Sequence, residues 1–157
     1  MTRLESIRAD FLDRMSLIAA ADGMPPISGR MFALLVFDGG PISFGDLAER
    51  LNVSRGSVSN SVRFLESRGV LRRFTRPGER GEYFDLAEDP YSGLMERIAR
   101  RARDAETEIS ITLEQLGKTL DDRYARLSEL SLFYGAVYDS AAATLTRLTG
   151  ENDDRTP

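Results

Sequence analysis

Between Ser54 and Arg63 the chain sets out Ser54, Arg55, Ser57, Ser59, Asn60 and Arg63, a run of hydroxyls, one amide and two guanidiniums with nothing bulky among them. These groups suit hydrogen bonding to nucleic acid. A guanidinium can reach guanine O6 and N7 together, an amide can do the same for adenine N6 and N7, and hydroxyls at a helix N-terminus suit phosphate oxygens. Further along, Arg76 and Arg80 flank a Pro77-Gly78 turn, where a guanidinium can enter a narrow minor groove or grip a phosphate. From Ser54 to Arg80 seven arginines stand against two acids, Glu66 and Glu79, a net of +5 in a chain whose total is −4. A basic stretch on an acidic body is the electrostatic footprint of a nucleic-acid reader, because Lys and Arg neutralise phosphates and release counterions. Arg72 and Arg73 alternate along one short run, so one of the two is expected to face the nucleic acid, and Arg68 reads as a cation complementing the C-terminus of a helix.

Other chemistries are closed off by composition. With no His and no Cys among 157 residues, disulfides, thiol redox switching, Cys/His zinc sites and the Ser-His-Asp and Cys-His triads are excluded. Asp121-Asp122 and Asp153-Asp154 read as solvated helix ends or tail rather than metal ligands, and no spacing pairs a nucleophile with a base, so neither an enzyme nor a cofactor or metal site is expected. At 41% hydrophobic and 29% charged, with no apolar run near the roughly 20 residues a membrane span requires, the chain reads as globular. Its first residues, MTRLESIRAD, lack the apolar core of a secretory signal, and a cytoplasmic location is expected.

The elements that must position the basic stretch follow from periodicity. Leu4, Ile7, Phe11, Met15 and Ile18 recur at three and four, an amphipathic helix stopped by Gly23. Ser28 can cap a second helix through Met31, Leu34 and Leu35, which Gly39-Gly40-Pro41 ends. Ser43 opens Phe44 to Leu51, Asn52-Val53 allows only a turn, and Ser54 caps Arg55 to Arg68, whose inward face is Val58, Val62 and Leu65, before Gly69. Two helices joined by so short a turn form a helix-turn-helix candidate. Val70 to Thr75, a Pro- and Gly-rich turn, and Glu82 to Leu86 add a hairpin, the wing of a winged helix.

From Pro90 a helical stripe runs through Leu94, Ile98, Ala102, Ala105, Ile109, Leu113, Leu116 and Leu120, then through Tyr124, Leu127, Leu130, Tyr134, Tyr138, Ala141, Leu145 and Leu148. Its length predicts two helices that break near Gly117 to Asp122. The fold class is therefore mainly α with a small β component, with an N-terminal helix at 1–23, a winged helix-turn-helix at 24–89, a helical region at 90–150 and a polar tail at 151–157. Helices of about 40 Å exceed what a small winged domain can cover. Both termini are thus expected to dimerise the chain, through Leu4, Ile7, Phe11, Leu127, Leu130, Tyr134, Tyr138 and Leu145.

The stretch LAERLNVSRGSVSNSVRFLESRGVLRR, Leu47 to Arg73, resembles the MarR family of winged-helix transcription factors. Met24 to Tyr91 is similar more specifically to its GbsR-type branch, through MPPISGR before the second helix and PGERGEYF with AEDPY around the wing. The resemblance implies a homodimeric bacterial regulator that binds a pseudo-palindromic operator, as a repressor. The Asp-x-Arg-Arg signature common in MarR wings is replaced here by Glu79-Arg80-Gly81, which leaves Arg80 as the wing residue carried over. GbsR-type regulators include some that respond to choline-like compounds, and a quaternary ammonium calls for an aromatic cage. Tyr91, Phe133, Tyr134 and Tyr138, with Phe11 and Phe32, are available, but at helical spacing they read first as core and interface. A small-molecule effector is left unidentified. The competing reading is a dimeric winged-helix protein-interaction module that never meets DNA.

Overall fold

A computed structural model of the chain describes residues 2–117 and 122–153, without the side chains of 151–153. Helix α1 (Arg3–Ala21) opens on a reciprocal cap, in which Thr2 Oγ1 accepts the Glu5 N–H at 3.2 Å and the Glu5 carboxylate accepts the Thr2 N–H at 2.6 Å. Helix α2 (Pro26–Asp38) begins two residues before Ser28, with Pro26 in the first turn, where its fixed φ suits the helix and its missing N–H goes unneeded. Ser28 is therefore not the cap expected of it; it lies fully buried inside the helix. A two-residue strand β1 (Ile42–Ser43) leads into α3 (Phe44–Leu51), and α4 (Arg55–Glu66) follows a turn in which Asn52 takes the left-handed conformation, φ 53°. Strands β2 (Leu71–Phe74) and β3 (Tyr83–Leu86) form the expected hairpin.

The sheet has one strand more than the sequence suggests. Its order is β1-β3-β2, all antiparallel, with Ile42 opposite Phe84 and Ser43 opposite Tyr83 on one side of β3, and Leu71 opposite Leu86 through Phe74 opposite Tyr83 on the other. The wing is thereby pinned to the residue that starts α3: Ser43 both pairs with β3 and caps the helix, its Oγ accepting the Asp46 N–H at 3.1 Å.

The chain divides into two compact units, residues 1–90 and 91–157. The first has one core, in which Leu12, Met31, Leu34, Leu35, Leu47, Leu51, Val58, Val62, Leu65 and Phe84 are all essentially inaccessible to solvent. Helix α1 reaches that core through Leu12 and lies close on α2 at Gly29, where a Cβ would collide with Ala19 Cβ and come within 3.2 Å of the Met15 carbonyl. Arg8 of α1 donates through Nε and Nη2 to both oxygens of Asp38, each at 2.7 Å, and Arg50 of α3 approaches the same carboxylate at 3.4 Å. The pairing with Arg8 holds the Asp38 carboxyl below the ordinary carboxylate range.

The second unit is α5 (Ser92–Leu116) and α6 (Asp122–Asp153), packed on each other. Arg103 against Tyr138 and Glu106 against Gly135 show that they run antiparallel. Helix α6 continues through Asp153, past the expected start of a tail. Leu120, Asp121 and residues 154–157 lie outside the described residues. Among the described residues, no helix is long and apolar enough to cross a membrane and no group of three or more acids is placed to hold a metal ion.

Candidate nucleic-acid interface

Helix α4 has two faces of opposite character. Val58, Ser61, Val62 and Leu65 anchor it in the core, while Arg55, Gly56, Asn60 and Arg63 are exposed and Ser57 and Ser59 half-exposed. The expected recognition positions thus share the face turned away from the core. Their individual roles separate once hydrogen bonds are followed. Ser54 Oγ accepts the Ser57 N–H at 3.1 Å and lies 2.9 Å from Ser57 Oγ, so these two hydroxyls close the helix start, satisfying a donor that the first turn leaves unpaired. Arg55 rests its guanidinium 4.7 Å from the centre of the Phe44 ring, which itself packs on Phe84 at 6.1 Å. Arg63 lies along the helix surface, donating through Nη2 to Asn60 Oδ1 at 2.7 Å and through Nε to the Ser59 carbonyl at 3.4 Å. Asn60 and Arg63, which the sequence presents as separate readers, form one unit.

On the wing, Arg76 and Arg80 part company. Arg76 stacks on Tyr83, 4.2 Å from the ring centre, and stands 4.0 Å from the Glu79 carboxylate. Tyr83 donates its phenol proton to the same Glu79, and that hydrogen bond raises the phenol above its ordinary pKa. Arg80 is exposed, and among the described residues none gives it a hydrogen bond, an ion pair or a ring. It is the wing cation most open to a phosphate.

Arg72 and Arg73, one of which was expected to face nucleic acid, both have carboxylate partners. Arg72 bonds Asp85, directly opposite on β3, at 3.2 Å. Arg73 reaches Glu82 and Glu66, each at 2.9 Å, and the bond to Glu82 raises the guanidinium above its ordinary value. Because Glu66 closes α4, Arg73 ties the end of the recognition helix to the wing strand. Two of these acids, Glu82 and Asp85, fall just beyond the stretch counted above, and from Ser54 to Leu86 seven arginines meet four acids, a net of +3. Arg68 behaves as expected, donating to the Phe64 carbonyl at 3.3 Å near the end of α4 and stacking 3.5 Å over the Phe64 ring.

In the second unit an open groove of about 380 Å³ runs between α5 and α6, lined by Met95 and Ile98 on one helix and by Phe133, Val137 and Ala141 on the other. Phe133 packs edge-on to Tyr134 at 5.3 Å, and the face of Tyr138 is covered by Arg103 at 3.8 Å. Phe11 belongs to the other unit and packs on Phe37 at 5.7 Å. Each of these aromatics has a packing role already. Of the residues expected at an interface between copies, Leu4, Ile7 and Leu130 are exposed, whereas Phe11, Leu127, Tyr134, Tyr138 and Leu145 are half-buried within their own unit. The periodic stripe did not include Leu132 and Phe133, which are 75% and 59% exposed. The signal that finds them is the adjacent apolar run Leu130, Leu132 and Phe133, too wide for a single helical stripe.

Residues 22–81 match the sequence profile of the MarR family. Mostly helical with a small three-stranded antiparallel sheet, the chain has a fold consistent with a MarR-type winged helix-turn-helix. The chain is similar along most of its length to the HTH-type transcriptional regulator MmpR5 of Mycobacterium tuberculosis, 29% identical over 149 residues, covering 92% of this chain and 90% of that one. It is also similar to the HTH-type transcriptional repressor OpcR of Bacillus subtilis, 21% identical over 104 residues, covering 66% of this chain and 56% of the relative. Among solved structures, one described as a transcriptional regulator superposes with a TM-score of 0.70 at 25% identity, covering 91% of this chain and 98% of the other. In a winged helix-turn-helix the second helix of the motif is the one presented to a major groove; α4 holds that position in the chain order, followed by the β2-β3 hairpin.

Proposed function

We propose that the protein is a MarR family transcriptional regulator that binds a pseudo-palindromic operator as a homodimer and represses transcription in the cytoplasm. The observation that carries this reading is the outward face of α4, where Asn60 and Arg63 project free donors from a helix anchored on its other side, with the unpartnered Arg80 on the adjoining wing. Ser54 and Ser57 set the helix N-terminus for a phosphate, Ser59 and Arg55 flank the base-reading pair, and Arg76 shapes the wing tip through Tyr83 and Glu79. Repression is favoured by the similarity to a named repressor. Membership of the GbsR-type branch is favoured by the resemblance carried by MPPISGR, PGERGEYF and AEDPY.

Dimerisation is supported by the apolar surface that α5 and α6 leave outward, including Ile111, Leu130, Leu132 and Phe133. Two copies joined there can hold their recognition helices about 34–36 Å apart, one turn of the duplex. An effector that prefers one packing of those helices over another changes operator affinity by that difference.

The test is binding of the purified chain to duplex DNA across a salt series. Affinity should fall steeply with salt, and Arg80→Ala, which removes one phosphate contact from each of the two protomers, should lower the slope of log K against log salt by about 2. Affinity for a protein partner that ignores salt, with no DNA binding at any salt, would instead establish the protein-interaction module.

A further inference from the structure

The bond between Arg63 Nη2 and Asn60 Oδ1 bears on which base the recognition helix reads, and the inference rests on the operator-binding function proposed above. Asn reads adenine by two opposed bonds: Oδ1 accepts from N6 and Nδ2 donates to N7. In this protein Oδ1 already gives one of its two lone pairs to a charge-assisted bond at 2.7 Å, so the amide oxygen is turned to Arg63, while the two Nδ2 donors have no partner among the described residues. Arg63 has five N–H groups, of which one goes to Asn60 and one to the Ser59 carbonyl, and the others remain available. Both residues are exposed, three apart on the face of α4 that the core does not use.

We propose that Asn60 and Arg63 act as one donor-rich, positively charged reader that selects guanine over adenine at the base pair their shared edge meets. Guanine presents two acceptors in the major groove, O6 and N7, and takes one N–H from each member of the pair. Adenine presents N7 with the N6 amino donor beside it, and that amino group meets donors and a positive charge. The discrimination belongs to the couple. Asn60 contributes to guanine reading only while Arg63 holds its oxygen, and with Arg63 removed the freed amide regains the ordinary preference for adenine.

The experiment is selection of bound duplexes from a random pool, by sequencing, with the full-length protein and with the Arg63→Ala and Asn60→Ala variants, each checked for an unchanged circular-dichroism spectrum. The wild type is expected to enrich guanine in each half-site at a position where Arg63→Ala enriches adenine instead, a change in the guanine-to-adenine ratio of about tenfold or more. Asn60→Ala is expected to keep guanine there, read by Arg63 alone, with weaker enrichment. Adenine selected by the wild type at that position, or an Arg63→Ala variant that binds every sequence equally less well with its preferences intact, overturns the proposal, since Arg63 is then a phosphate contact. A wild type that enriches no sequence overturns the operator-reading function itself, and the pair's role with it.

Discussion

The two units of the chain bury their apolar residues very differently. In the winged unit the side chains of α1, α2, α3, α4 and the sheet converge on one interior, and eleven of them are essentially solvent-free. In the α5 and α6 unit the only buried hydrophobic residues among those described are Ala102 and Ala141, both small, while Leu132, Phe133, Ile111 and Leu130 stand 43–75% exposed. A helix pair whose fully buried apolar residues are two alanines, its larger side chains at most half-buried, is stabilised less by its own packing than a unit that closes over large ones, because burial of large apolar side chains supplies most of the free energy. The winged unit anchors α4 in a closed core, whereas the helical unit leaves large apolar side chains exposed, the surface on which the proposed dimer rests.

Substitutions in the two units should therefore read out differently. The largest effect is expected for Phe84→Ala, which empties a fully buried site where β3 meets α3 and the wing; about 3–5 kcal/mol of stability should be lost in urea unfolding. Gly29→Ala forces α1 away from α2 at Ala19 and should cost about 1–3 kcal/mol, seen as a lower thermal midpoint. Asp38→Asn breaks the carboxylate that ties α1, α2 and α3 and should cost about 1–2 kcal/mol, allowing for its partial exposure to solvent. Because folding lowers the Asp38 pKa, its contribution is present above the ordinary carboxylate value near ~4 and fades as the pH falls through the lower native value. Stability measured across that acid limb should flatten in Asp38→Asn. The smallest effect on folding is expected for the paired change Leu132→Glu with Phe133→Ser, within about 0.5 kcal/mol in dilute protein. Sedimentation equilibrium should nevertheless show the self-associated species giving way to the single chain. An unchanged assembly would place the interface elsewhere and remove the contrast between the units.

Much of the winged unit was legible in the sequence because its signals are local. Ser43 and Ser54 as caps, Asn52 at the turn, Val58, Val62 and Leu65 at helical spacing, and the Pro77-Gly78 turn all act within a few residues. Strand β1 was not legible, since two residues carry no periodicity and Ile42 is drawn into the sheet only by Phe84, far along the chain. The same distance in sequence hid the fate of Arg72 and Arg73, whose carboxylate partners are chosen by strand register rather than by spacing. Ser28 misled because a serine before an apolar run resembles a cap, while Pro26 had already begun the helix. The coupling of Asn60 to Arg63 was readable in principle as an i, i+3 pair on a helix. Each residue suggested a familiar base contact alone, and that obscured the pairing.

Reading of a two-fold symmetric DNA sequence by the winged unit, as proposed, is tested most directly by sequencing the duplexes that the purified protein retains from a random pool at two salt concentrations. The account predicts an inverted repeat with half-sites one helical turn apart, retained at the higher salt with lower yield. Weak retention at low salt only, with no sequence enriched, would contradict it and reduce the exposed arginines of α4 and the wing to general attraction for phosphate.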